Sequence, residues 1–236
     1  MSILGGAREI SLHRMACHFP SLRISGFSLC APGAIERVRI DRDTLEPRFK
    51  VIGCDLWSDD PAFRQASEAV GVTGICGAGI IEVIAEMFLA GILDADGVID
   101  GSAAQRSSRI QSDGRTFAYT LYETGARKPA LRITQADVRA IQLAKAALYA
   151  GIRLLMDRIG AERVDRIRLA GAFGSHIDVK YAMVLGMIPD CDLSRVTSAG
   201  NAAGTGALIA LLSGASRREI EQVVRSVEKI ETAIEP

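Results

Sequence analysis

The chain has 236 residues, 48% of them hydrophobic, with 28 basic side chains against 28 acidic ones. That length buries a substantial core, as one large domain or two small ones. A net charge of zero leaves no basic excess for nucleic acid or an anionic membrane surface, and no apolar run is long enough to span a bilayer.

Residues 1–30 show no sustained period and read as a poorly defined segment, although Leu22 to Leu29 suits a strand. Arg8, Glu9, His13 and Arg14 interrupt any apolar core of a signal peptide, so a cytoplasmic setting is expected. The five cysteines, Cys17, Cys30, Cys54, Cys76 and Cys191, are scattered and form no C-x-x-C pair. The pattern predicts no zinc ribbon, no thiol-redox pair and no iron–sulfur cluster.

From Ala31 to the end, residues 31–236 read as one nucleotide-binding type of domain with alternating strands and helices. Ile35 to Asp41 alternates apolar and charged side chains, which predicts a half-buried strand, and Phe49 to Cys54 pairs with it across a short loop. Gly71-Val-Thr-Gly74-Ile-Cys-Gly77-Ala-Gly79 then opens an apolar helix ending near Gly91. This loop either cradles phosphate through backbone N–H groups or lets the helix pack closely on the sheet. It is not a P-loop, and Glu82 stands where a dinucleotide loop carries its third glycine. Asp94 to Gly101 lacks the ligand set of a calcium loop and reads as an Asp-Gly turn. Ser107 to Gln111 and Phe117 to Tyr122 follow as strands across Asp113-Gly114.

Thr134 and Asp137 resemble a capping box, and the chain stays helical to about Ile159, before Gly160. Val138, Ile141, Leu148, Ile152, Leu155 and Ile159 form one stripe. Lys145 lies on that stripe with Gln142 at its edge, among small residues that keep the helix thin. A lysine there either carries its ammonium out to water or meets an anion.

Ile167 and Leu169 lead as a β-run into Gly171-Ala172-Phe173-Gly174, with a short helix from Asp178. A strand that stops at small residues leaves backbone N–H groups in the crevice where open α/β sheets bind ligands. The plainer alternative is a turn that uses glycine for its backbone angles. Arg195 to Ser198 suits a strand, and Gly200-Asn201 then opens a helix with Asn201 as its cap. Ser216 and Glu219 read as a second capping box, and Ile220, Val223, Val224, Val227 and Ile230 as a stripe facing core.

Pro32-Gly-Ala-Ile-Glu, Gly74-Ile-Cys-Gly-Ala-Gly, Ile133-Thr-Gln-Ala-Asp-Val-Arg, Gln142-Leu-Ala-Lys-Ala-Ala, Leu169-Ala-Gly-Ala-Phe-Gly and Gly200-Asn-Ala-Ala-Gly-Thr-Gly occur in one order. Together they resemble the C-terminal region of the reductive activators of corrinoid proteins. Those are ferredoxin-fused ATPases of the superfamily of acetate and sugar kinases, heat-shock chaperones and actin. The resemblance covers roughly Ala31 to Glu231.

It implies an α/β fold of the actin-like, ribonuclease-H-like (ASKHA) kind, a mixed sheet flanked by helices. It also implies that Gly171, Ala172, Phe173 and Gly174 border ATP, with Lys145 and Gln142 on the helix opposite and Gly200 and Asn201 nearby. Mg²⁺ is expected to accompany the nucleotide. Relatives use ATP hydrolysis to drive electron transfer from an iron–sulfur domain to a cobalt(II) corrinoid, so a corrinoid protein or methyltransferase component is the implied partner. A homodimer is left open.

The chain departs from these relatives in three places. It has no clustered cysteines and no upstream Asp-x-Gly-Thr phosphate motif, and His18 to Cys30 lacks their Gly-Pro-Ala-Phe-Gly-like segment. The expectation is therefore a truncated or partial member that binds nucleotide with little hydrolysis of its own. ATPase activity would need a missing half supplied from elsewhere. The alternative is a non-catalytic docking module for a corrinoid protein or for that half. A small-molecule kinase of the same superfamily would have only Asp178 as an acid near the turn.

Overall fold

The computed structural model describes residues 2–5, 8–11, 31–123, 130–171, 176–228 and 230. In chain order it holds β1 (Ser2–Gly5), β2 (Arg8–Ser11), β3 (Ala34–Ile40), β4 (Pro47–Val51), α1 (Phe63–Ala66), β5 (Gly74–Ile75) and α2 (Gly77–Leu89). Next come β6 (Ile110–Asp113), β7 (Thr116–Tyr122), β8 (Leu131–Thr134) and α3 (Gln135–Ile159). The chain closes with β9 (Arg166–Ala170), α4 (Val179–Val184), β10 (Val196–Gly200), α5 (Ala202–Leu212) and α6 (Gly214–Ser226). The strands and helices make a mixed α/β fold, with parallel and antiparallel pairs in the same sheets. The chain divides into two compact units, Met1–Met15 with Ala147–Val179 and Gly186–Pro236, and Ala16–Ala146 with Lys180–Leu185.

In the second unit β3 forms a hairpin with β4 and pairs in parallel with β5. Val38, Ile40, Phe49 and Val51 are buried on one face, as the alternation requires. Each such aliphatic or aromatic side chain, taken from water, stabilises the unit by about 1.5–3 kcal/mol. β5 reaches only Ala34 and Ile35, which leaves the rest of that β3 edge without a strand. Two carboxylates of α2 take its place. The Val38 N–H donates to Glu82 Oε2 at 2.9 Å and the Ile40 N–H to Glu86 Oε2 at 3.0 Å.

The close approach of α2 explains the glycine-rich loop before it. A Cβ on Gly79 would lie 2.4 Å from the Ile35 carbonyl oxygen, and one on Gly33 would lie 2.6 Å from that of Val70. Packing therefore accounts for Gly79 and Gly33, whereas Gly71 is set by its backbone angle, φ +63°.

β6, β7 and β8 form an antiparallel sheet whose Tyr119 is fully buried and donates its hydroxyl to the Leu45 carbonyl at 2.9 Å. β6 begins at Ile110, three residues later than the sequence predicts, because Gly101–Gln105 winds as a 3-10 turn capped by Asp100. The Asp-Gly turn at Asp94 to Gly97 is present, with the Val98 N–H donating to Asp94 Oδ1 at 2.7 Å.

The capping box of α3 forms as expected. Thr134 donates its N–H and its hydroxyl to Asp137 Oδ2, and the Asp137 N–H donates back to Thr134 Oγ1. Val138, Ile141, Ile152 and Met156 are its buried side chains, while Leu148, Leu155 and Ile159 are half-buried.

In the first unit the sheet runs β10-β9-β1-β2, with β9 and β10 parallel and β1 antiparallel to both β9 and β2. β1 and β2 lie in the segment whose sequence shows no period. Ile152, Met156, Val164, Ile167, Leu169, Met187 and Ile188 are buried in this unit. Two expectations need correction. Ser213, not Ser216, caps α6, since the Ser216 N–H donates to Ser213 Oγ at 3.1 Å and the chain turns from α5 straight into α6. The predicted core stripe of α6 is also exposed, Val223 at 57% and Val227 at 66%, as are Leu211 and Leu212 of α5. No described element covers them. Leu22 to Leu29 lies outside the described residues.

Candidate functional site

The sequence places glycine at the carboxyl end of each of two adjacent parallel strands, β9 and β10. Gly171 has φ +105° and Gly200 φ +57°, a half of backbone space that L side chains rarely enter. The Gly171 N–H donates to the Gly200 carbonyl at 2.8 Å, so the two turns are tied together. A Cβ on either glycine would meet nothing within 4 Å. Backbone angle, not crowding, therefore demands glycine, and among the described residues open space lies beside both turns.

Asn201 is the cap of α5. Its Oδ1 accepts the Gly204 N–H at 3.0 Å, and a Cβ on Gly204 would lie 2.5 Å from Asn201 Nδ2. The remaining first-turn N–H groups of α5 have no carbonyl ahead of them in the helix, and with the helix dipole they favour a negatively charged group. Parallel strand ends, two turns of positive φ and a capped helix start thus lie together, with the Gly171 and Gly200 N–H groups bonded to the Gly200 carbonyl and Ser198 Oγ and the first turn of α5 beside them. Chemically the start of α5 suits an anionic oxygen held by backbone N–H groups.

The structure brings together Gly171, Gly200 and Asn201. Ala172, Phe173 and Gly174 lie outside the described residues. Gln142 and Lys145 belong to the other unit. Gln142 uses both ends of its amide locally, donating from Nε2 to the Asp96 carbonyl at 2.9 Å and accepting from Arg139 Nη1 at 2.8 Å. Lys145 is exposed, so its ammonium carries no burial penalty. Among the described residues no group of three or more His, Cys, Asp or Glu is placed to hold a metal ion, and no helix is long and apolar enough to cross a membrane. Burial raises the Cys191 thiol above its ordinary range, which disfavours its thiolate.

Sequence reasoning missed a second set of residues. Glu82 is fully buried and accepts from Arg37 and Arg39 at 2.6 Å each, and Tyr181 donates its hydroxyl to Glu86. Acids four apart inside an otherwise apolar helix are the signal that would have found them. An open cleft of about 700 Å³ lies near Leu93, Val98 and Phe117. Of its polar walls, Gln135 bonds Ile99 and Gly97, and Arg139 bonds Asp96.

Comparison with known proteins places this geometry in a family context. The family described as the C-terminal domain of RACo, the ASKHA domain, matches residues 23–236. The corrinoid activation enzyme RamQ of Eubacterium limosum is 38% identical over 172 residues, which is 69% of this chain and 29% of RamQ. A solved reductive activator for corrinoid, iron-sulfur protein superposes with a TM-score of 0.75 at 28% identity, over 91% of this chain and 32% of its own. The chain therefore spans about a third of the length of the proteins it matches.

Proposed function

The chain belongs to the family of RACo C-terminal ASKHA domains, and on that premise we propose that it is an ATP-binding domain of the corrinoid-activation type. The observation that carries this reading is the tied pair of turns at Gly171 and Gly200, uncrowded among the described residues and abutting the capped start of α5. In this reading the phosphates rest beside Gly171, Gly200 and Asn201, against the backbone of Ala172, Phe173 and Gly174 and the first turn of α5. Lys145 and Gln142 of α3 are proposed as further nucleotide contacts on the family resemblance alone.

The start of α5 supplies N–H donors and the described residues no cluster of acids, so the site fits the phosphates and not the metal that accompanies them. Phosphoryl transfer depends on metal placement and charge. The proposed activity of this chain is accordingly binding with little hydrolysis, and turnover requires groups from another chain or another part of the protein. A corrinoid protein or methyltransferase component is the proposed partner, in a cytoplasmic setting.

Calorimetric titration with ATP and ADP, with and without Mg²⁺, tests the reading. Micromolar binding that weakens in Lys145→Ala supports it, and no heat at millimolar nucleotide overturns it. A second reading, a non-catalytic docking module, is favoured by the exposed aliphatic side chains of α5 and α6. It would hold if nucleotide binding failed.

A further inference from the structure

The open cleft of about 700 Å³ is lined entirely by residues of the second unit, from the turn at 94–101, the start of β7 and the first turns of α3. Its size falls in the range of about 300–1,000 Å³ that small-molecule sites occupy. Leu93 and Ile99 of its lining are buried, Phe117 is half-buried and Val98 exposed, which gives the cleft an apolar surface. A Cβ on Gly101 would collide with the Phe117 ring, so glycine there lets the ring keep its place.

Two guanidiniums share this lining, Arg115 and Arg139. Arg139 Nη1 donates to the Asp96 carbonyl at 3.1 Å and to Gln142 Oε1 at 2.8 Å, which fixes the plane of the group. Its Nε–Nη2 edge makes no bond among the described residues. That edge is the fork that grips a carboxylate through two parallel N–H donors. Arg115, in the β6–β7 turn, makes no hydrogen bond or ion pair among the described residues. Gln135 braces the wall, accepting from the Ile99 N–H at 2.9 Å and donating to the Gly97 carbonyl at 2.6 Å. A fork held in place before its ligand arrives loses little freedom on binding.

We propose that this cleft binds a small carboxylate on an apolar body, of the size of an aromatic or branched aliphatic acid. The Arg139 fork takes the carboxylate, Arg115 adds a second cation, and the body lies against Phe117 and Val98. Asp94 and Asp100 line the same cleft, so two negative charges offset the two positive ones. No net positive field remains to draw in a polyphosphate, and recognition rests on the geometry of the fork. Neither the Gly171 turn nor the Gly200 turn takes part, and the site holds or fails independently of the nucleotide reading.

Phenylacetate is the probe, titrated into the isotope-labelled full chain. The readouts are the amide resonances of Val98, Gly101 and Phe117 and the Nε–H resonances of Arg115 and Arg139. Saturable shifts at these groups are expected, with a dissociation constant on the order of 1 mM for so small a ligand. Phenylacetamide, the same body without the charge, should bind about tenfold more weakly, and so should phenylacetate to Arg139→Gln. Arg139→Gln also gives up the bond to Asp96, so Arg115→Gln, which breaks no bond, repeats the test and should weaken binding about threefold. Arg153→Gln, on the C-terminal half of α3, should bind as wild type. No saturation at roughly tenfold the expected constant, equal binding of the amide, tighter binding of inorganic phosphate, displacement by ATP, or wild-type affinity in either cleft variant overturns the proposal.

Discussion

The Gly171 amide donates to the Gly200 carbonyl at 2.8 Å, and this one bond joins the ends of β9 and β10 into a shared rim. The two glycines differ in what they tolerate. At φ +57° Gly200 lies in the left-handed region that asparagine enters, whereas φ +105° at Gly171 lies beyond it. Gly200→Asn should keep nucleotide affinity and lose under ~1 kcal/mol of stability, while Gly171→Val should cost about 1–3 kcal/mol and abolish binding. Urea midpoints and nucleotide titrations check both. Equal behaviour of the two variants would remove the argument from backbone angle.

Glu82 is the next test, because it is fully buried and holds two guanidiniums and a strand N–H. Breaking a buried pair costs about 3–5 kcal/mol. Glu82→Ala should fall at the low end, near 3 kcal/mol, since both arginines reach water and can rehydrate. A loss below about 1 kcal/mol would mean that the β3 edge does not depend on this carboxylate.

Thr120 makes the opposite prediction. Its hydroxyl is buried in β7 without a hydrogen-bond partner among the described residues. Thr120→Val keeps the shape and removes the stranded hydroxyl, so it should be neutral or stabilise by up to ~1 kcal/mol. A clear drop in the denaturation midpoint would show that the hydroxyl is bonded in solution.

Alkaline pH should expose two tyrosines. Burial raises the Tyr119 and Tyr181 phenols above their ordinary value of 10.0, and the bond to Glu86 adds to the rise at Tyr181. A pKa raised by folding favours the protonated form in the folded state. The stability tied to these phenols is therefore whole below about pH 10 and is lost as pH climbs above it. Tyr181→Phe should flatten that alkaline loss. On the acid side, hydrogen bonds from Thr44 and Ser102 lower the Asp41 and Asp100 carboxyls below 3.8, and their contribution is lost only as pH falls below that value. An alkaline limb unchanged by the tyrosine variant would contradict the assignment.

The sequence carried most of the local structure because each local signal has one cause. The Thr134–Asp137 box, the Asn201 cap and the Asp94 turn follow from side chains that bond within three or four residues, and the glycines at 171 and 200 from backbone angle. The α6 stripe misled for a physical reason, since period alone reports an apolar face and not whether anything covers it. Glu82 and Glu86 were illegible for another. Their partners lie more than 40 residues away on β3 and α4, and only the fold shows that a helix can finish a strand edge. The glycines at 71–79 allow either a phosphate cradle or close packing from sequence, and the Ile35 carbonyl against Gly79 shows packing at that position.

Hydrogen–deuterium exchange of the backbone amides, with and without ATP, tests the central claim most directly. The account predicts slowed exchange confined to Gly171–Gly174 and to Gly200–Gly204, with the Gly74–Gly79 amides unchanged. Protection of the Gly74–Gly79 loop instead, or none at either turn under saturating nucleotide, would contradict it.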